Sequence, residues 1–152
     1  MSKVEQIQNE NFLVTLENRN NTLQIETKAI ILATGRFMGK GLTAERTIIK
    51  ESIFDLPVSQ PNSREQWHNL DFYNPAGHPI NKAGLEIDKK FRPLNKAGQP
   101  AYENLYAVGS ILAHQDWMRM KCGSGLAIAT AYAAINSYLK NINLSNSIQT
   151  ED

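Results

Sequence analysis

KCGSGLAIATAYAAINSYL, residues 121–139, decides how the rest of the chain is read. Gly123 and Gly125 open an alanine-rich run in which Ile128, Tyr132, Ile135 and Leu139 recur at helical spacing, while Ala127, Ala131 and Ala134 form a second face of small residues. The pattern predicts a helix gated by glycine. A dinucleotide fingerprint would open a βαβ unit and need a further strand with an acidic residue roughly twenty positions on. Only KNINLSNSIQTED follows Leu139. The helix is therefore read as the last element of its domain. Its first N–H groups and the positive end of its dipole make an anion site, and its small residues allow close approach to a sheet or to a flat ligand. A helix cap with no ligand accounts for the same residues.

Working backward, ENLYAVGS (103–110) and AIILATG (29–35) are apolar runs that stop at glycine, as strands buried on both faces do. Two such strands bring backbone to the carboxyl edge of a sheet, where open α/β folds bind ligands. Before them, NFLVTLENRNNTLQIET alternates apolar and polar residues on both sides of a turn at NRNN, which predicts a β-hairpin or meander. Between them, residues 36–100 lose any regular period. Prolines, glycines and short candidate elements (AERTIIKE, SREQWHNLDFY, and a hairpin-like GLEIDKKFRPL) suggest an irregular cap. The predicted division is thus 11–35 with 101–140 as one ligand-binding domain, 36–100 as a cap, and 1–10 and 141–152 as flexible ends.

The 152 residues suit one domain with a real core, being 41% hydrophobic and 20% charged. A net charge of +1 supplies no field for nucleic acid or an anionic membrane. A single cysteine, Cys122, leaves no internal disulfide or zinc pair, and a packed small residue is its expected role. Three histidines without ligand spacing predict no metal site. MSKVEQIQNE lacks the apolar segment of a secretory signal, and LAIATAYAAI is about half of the roughly 20 residues that a spanning helix needs. Membrane association would come through a partner.

Several of these pieces, taken in order, resemble a known family: AIILATGRF, then Gly41–Leu42 with Ala44 to Arg46, Arg64 with Trp67, Phe91 to Pro93, ENLYAVGSILAHQD, and Cys122 to Gly125. From about Asn11 to Leu139 the chain is similar to the C-terminal part of flavoproteins of the FAD-binding fumarate reductase and succinate dehydrogenase type. Within that superfamily it looks most like the B subunits of anaerobic glycerol-3-phosphate dehydrogenases. The resemblance implies an α/β, glutathione-reductase-like FAD/NAD(P)-binding fold. It implies oxidation of glycerol 3-phosphate to dihydroxyacetone phosphate with electrons passed to quinone. It also implies a flavin cofactor, FMN rather than FAD, a flavoprotein A subunit and an iron–sulfur C subunit as partners, and a cytoplasmic place on the inner face of the membrane, held by a partner.

On that reading Thr34, Gly35, Arg36, Gly109, Ser110, Gly123, Ser124 and Gly125 surround the cofactor, and Lys121 adds positive potential. A helix end beside the N1 and C2 carbonyl region of a flavin would favour its reduction. Arg46, Arg64 and Arg92 are the candidate forks for a phosphate dianion. His114, on the loop between the second glycine-ended strand and the helix, is the candidate base for the substrate hydroxyl; His68 and His78 read as surface residues. Three departures stand out. Ala113–His114 replaces an expected glycine pair, Gly109–Ser110 replaces a Gly-Asp, and no GxGxxG precedes the ATG strand. The chain is accordingly expected to lack the N-terminal βαβ unit and to be the C-terminal portion of a flavoprotein, binding flavin weakly and inactive by itself. A non-catalytic assembly piece is the alternative. A fumarate-reductase-like enzyme is disfavoured because its substrate-loop histidine and arginine pattern is not found.

Overall fold

The computed structural model describes residues 2–7 and 10–148. Strands β1 (Ser2–Gln6), β2 (Phe12–Glu17) and β3 (Thr22–Thr27) form an antiparallel meander in the order β1-β2-β3. The β2–β3 hairpin pairs Phe12 with Thr27 and Glu17 with Thr22, so the predicted turn at residues 18–21 is where the chain reverses. The N-terminal end departs from expectation. Ser2–Gln6 pair in register with Phe12–Leu16, because Val4 can pack against the core from the free edge of β2.

Strands β4 (Ile30–Leu32) and β9 (Leu105–Ala107) run parallel, Ile30 opposite Leu105 and Leu32 opposite Ala107. Every residue of β9 is buried. In β4, however, Leu32 points inward while Ile31 remains 40% exposed, so this strand is covered on one face where burial on both was expected.

The middle of the chain is irregular, as its composition implies. It holds two small antiparallel pairs, β5 (Leu42–Ala44) with β6 (Ile49–Glu51) and β7 (Val58–Ser59) with β8 (Gly84–Leu85), and 3-10 turns at Arg64–Gln66 and Pro79–Lys82. This region shares one core with the rest of the molecule. Phe12, Leu32, Leu42, Ile49, Trp67 and Leu105 belong to a single buried cluster. The rings of Phe12, Phe54 and Tyr102 meet with centroids 5.4–5.9 Å apart, joining meander, middle region and the approach to β9. Edge-on ring pairs of this kind add about 0.5–1.5 kcal/mol each beyond burial.

After a 3-10 turn at Gly109–Ile111, helix α1 (Trp117–Met120) leads into α2 (Gly123–Ile148), which runs past the expected end at Leu139. The rest of the flexible end expected at 141–152, residues 149–152, lies outside the described residues. The small-residue face of α2 makes the close approach to a sheet that its alanines allow. Its small side rests on the β9 strand, with Ala134 fully buried among Tyr106, Val108 and Ala131 and with Tyr138 packed against them. The large stripe points outward, leaving Ile128 and Tyr132 each 72% exposed.

Candidate functional site

The two parallel strands end at the same edge. Gly35 and Gly109 both adopt positive φ (+68° and +74°), a left-handed conformation that side chains with a Cβ rarely take, shortly after the ends of β4 and β9. A Cβ on Gly35 would lie 3.5 Å from the Ser110 hydroxyl, and one on Gly109 would lie 3.8 Å from Ala127. The two turns and α2 therefore converge, as the sequence predicts. A cleft of about 380 Å³ opens there, lined among others by Gly35, Phe37, Ile80, Ser110, Gly123 and Ala127.

The amino end of α2 faces open space. No atom would lie within 4 Å of a Cβ placed on Gly123 or Gly125, so packing does not demand glycine at either position. The first turn of the helix carries no acidic side chain to answer its dipole. Unpaired N–H groups, a positive helix end and a mostly apolar wall suit a flat ligand that is polar along one edge. Isoalloxazine is such a ligand, and the cleft lies within the range of about 300–1,000 Å³ found for small-molecule sites.

Other predicted cofactor residues are placed differently. Gly109, Ser124 and Gly125 stand beside the cleft without lining it. Thr34 is beneath it: a Cβ on Gly41 would come 2.4 Å from its hydroxyl, which is buried and unpartnered. Arg36 does line the cleft, but its side chain is engaged elsewhere. Its guanidinium turns into the protein, donating to the carbonyl oxygens of Asn81, Leu112 (2.9 Å) and Gln115 (2.9 Å), and the residue is only 7% exposed. Burial pushes its pKa down and Asp116, itself buried, pushes it back up. Arg36 thus clamps the 109–116 loop and the Pro79–Lys82 turn to the end of β4, and it has no fork to offer a phosphate.

A second cleft of about 460 Å³ lies on the other side of the Pro79–Lys82 turn, lined among others by Ser59, Asn69, Gly77, Lys82 and His114. His114 lines this cleft and not the glycine-lined one. Its backbone is held by N–H donation to the Lys82 carbonyl (2.8 Å), next to the bridge between Leu85 and Leu112, and its φ is +66°. Its Nε2 meets Glu86 Oε1 at 2.6 Å. Sequence reasoning missed Glu86, since one acidic residue in GLEIDKK gives no sign that the chain will lay it beside a histidine 28 positions away.

The three predicted phosphate forks are scattered. Arg92 is paired with Asp88 (2.7 Å) and Glu103. Its guanidinium is thus engaged by two carboxylates, one of them on the approach to β9. Arg64 donates to the Arg46 carbonyl (3.0 Å) and stacks over Trp67 at 5.7 Å, so both arginines belong to the exposed β5–β6 end. His78 accepts from the Asn69 N–H (3.1 Å) beside His68, a local loop contact. Cys122 is a partly exposed free thiol.

The family model described as FAD binding domain matches residues 12–126, from β2 to the first turn of α2. The chain belongs to the FAD binding domain family. It is similar to the B subunit of anaerobic glycerol-3-phosphate dehydrogenase from Aliivibrio fischeri, 31% identical over 84% of this chain and 28% of the relative. The protein of the same name from Vibrio vulnificus is 38% identical over 81% of this chain and 28% of the relative. A probable B subunit of the same dehydrogenase from Halobacterium salinarum is 35% identical over 68% of this chain and 24% of the relative. This FAD binding domain chain thus spans about 28% of the length of the first of these relatives. No solved structure matches it. Among the described residues no helix is long and apolar enough to cross a membrane.

Proposed function

We propose that this chain forms part of a flavin-linked dehydrogenase that oxidises glycerol 3-phosphate to dihydroxyacetone phosphate and sends the electrons to quinone. It would act as a portion of the B subunit, alongside a flavoprotein A subunit and an iron–sulfur C subunit, held to the inner face of the membrane by a partner. The observation that carries this reading is the meeting of Gly35, Ser110 and Gly123 around one cleft at the carboxyl edge of the parallel strands. The names of the relatives supply the substrate.

In this reading Gly35, Ser110, Gly123 and Ala127 would hold the flavin, FMN by family resemblance, with the N–H groups of the first turn of α2 available to its polar edge. A bound flavin would supply the hydride acceptor for the substrate carbon. The chain's own part in the chemistry falls to His114. With Nε2–H donating to Glu86, its Nδ1 is left as the acceptor for the hydroxyl proton, and the carboxylate both orients the ring and stabilises the charge it gains. The turn Pro79–Lys82, shared by the two clefts, sets the cofactor side against the substrate side. The remainder of the B subunit completes the flavin site, so the chain alone holds flavin weakly and does not turn over.

The test combines the chain with the polypeptide matching the remaining length of its relatives. Flavin absorbance and glycerol-3-phosphate-dependent dye reduction are expected in the assembly and not in either piece. Assembly without flavin would instead support a non-catalytic role, and tight, micromolar flavin binding by the chain alone would overturn its dependence on a second piece.

A further inference from the structure

The phosphate of the proposed substrate needs a cation, and the three arginines nominated by the sequence lie elsewhere. Arg92 is locked to two carboxylates, Arg64 donates to the Arg46 carbonyl, and both Arg46 and Arg64 lie at the β5–β6 end, away from the residues that line the second cleft. Arg36 is committed to three carbonyls. Arg119, behind the wall of the second cleft at Gly77, is tied to Asp116 and to the Asn74 carbonyl. One cation remains in that cleft. Lys82 lines it together with His114, and its ammonium has no ion-pair partner among the described residues.

From this we infer that Lys82 anchors the anionic end of a small phosphorylated polyol in the cleft it shares with His114. The inference rests on the proposed dehydrogenase reading for the identity of the ligand, and on geometry for the residue. Lys82 and His114 are placed together by the backbone: the His114 N–H donates to the Lys82 carbonyl at 2.8 Å, so the two side chains leave neighbouring stretches of chain into one 460 Å³ space. Of the residues lining that space, none is acidic. Glu86, outside it, is engaged with His114 Nε2. A 3-10 turn begun by Pro79 fixes the Lys82 backbone, which limits the freedom lost when its side chain closes on a ligand. An ammonium suits this position because a phosphate can be held by point charge where no planar fork is available.

The test is an amide-resonance titration of the full chain with glycerol 3-phosphate, with glycerol and inorganic phosphate as separate probes. Saturable shifts are expected at residues 76–83 and 114 with glycerol 3-phosphate, with glycerol giving none at the same concentration. Lys82→Gln should weaken binding by about ten-fold or more, as loss of a charge-assisted contact does, and Lys82→Arg should restore most of it; both variants should keep the dispersed spectrum of the folded chain. Unchanged affinity in Lys82→Gln, or no saturable shift in the wild-type chain, overturns the inference. Equal affinity for inorganic phosphate overturns the assignment to a phosphorylated polyol. Flavin is read separately by its absorbance in the combined assembly. Failure there with the Lys82-dependent shifts intact removes the dehydrogenase reading and leaves the anion site standing.

Discussion

Arg36 shows what one residue can hide. In the sequence it follows ATG and reads as a phosphate ligand; in the fold its guanidinium closes on three carbonyl oxygens beside buried Asp116. Position along the chain is legible and direction is not, because the direction depends on where residues 81, 112 and 115 arrive. Arg36→Met leaves those carbonyls without their donor and takes a positive charge away from buried Asp116. It is expected to cost about 3–5 kcal/mol, the range for breaking a buried charged contact from one side, measured as a fall in urea midpoint with little change in slope. The sequence singles out His114 by its place on the loop, whereas its contact with Glu86 is invisible there. A dyad between distant residues has no spacing to betray it.

At the scale of elements, α2 separates the demands of folding from those of binding. Since nothing would touch a Cβ at Gly123 or Gly125, Gly123→Ala and Gly125→Ala should leave thermal stability unchanged or raise it by up to about 1 kcal/mol through helix propensity. In the combined assembly the same variants should lose flavin, read by absorbance. Equal flavin content would show that these glycines do not face the cofactor.

The hairpin at residues 86–101 answers to pH. Burial pushes the Asp88 carboxyl up, but hydrogen bonds from the Arg92 backbone and side chain and from the Lys90 N–H outweigh it and hold the pKa below its ordinary value. A lowered carboxylate stabilises the fold above its unfolded-state pKa of about 3.9, and that contribution disappears as pH falls through the still lower folded-state value. Asp88→Asn should therefore be less stable than the wild-type chain near pH 7, with the gap in thermal midpoint closing as pH falls through the folded-state value. The alternation of the meander and the two glycine-ended strands is readable because each needs only local periodicity. For α2 the small-residue face is legible as the one able to lie close on a sheet, because alanines permit that approach.

For the whole molecule, that packing leaves Ile128, Tyr132, Ile135 and Leu139 in a row on the outer surface, with Ile31 also exposed on β4. Apolar rows of this extent mark surfaces used for association. Replacing Ile128 and Leu139 together by Gln should shift the unfolding free energy by no more than about 0.5 kcal/mol per site, since little burial is lost, while sedimentation shows less self-association than the wild-type chain. A large loss of stability would mean that the row is covered within the monomer. One hydrophobic cluster runs through both the expected ligand domain and the expected cap; sequence composition registers irregularity without registering shared packing.

The Arg36 clamp also sets a timetable. Its acceptors lie 45, 76 and 79 residues further along the chain, so this closure must await encounters that are among the slowest a chain of this length makes. A nascent or partly unfolded molecule would have its meander long before it has a pocket. Ligand capture is thereby reserved for chains that have finished folding.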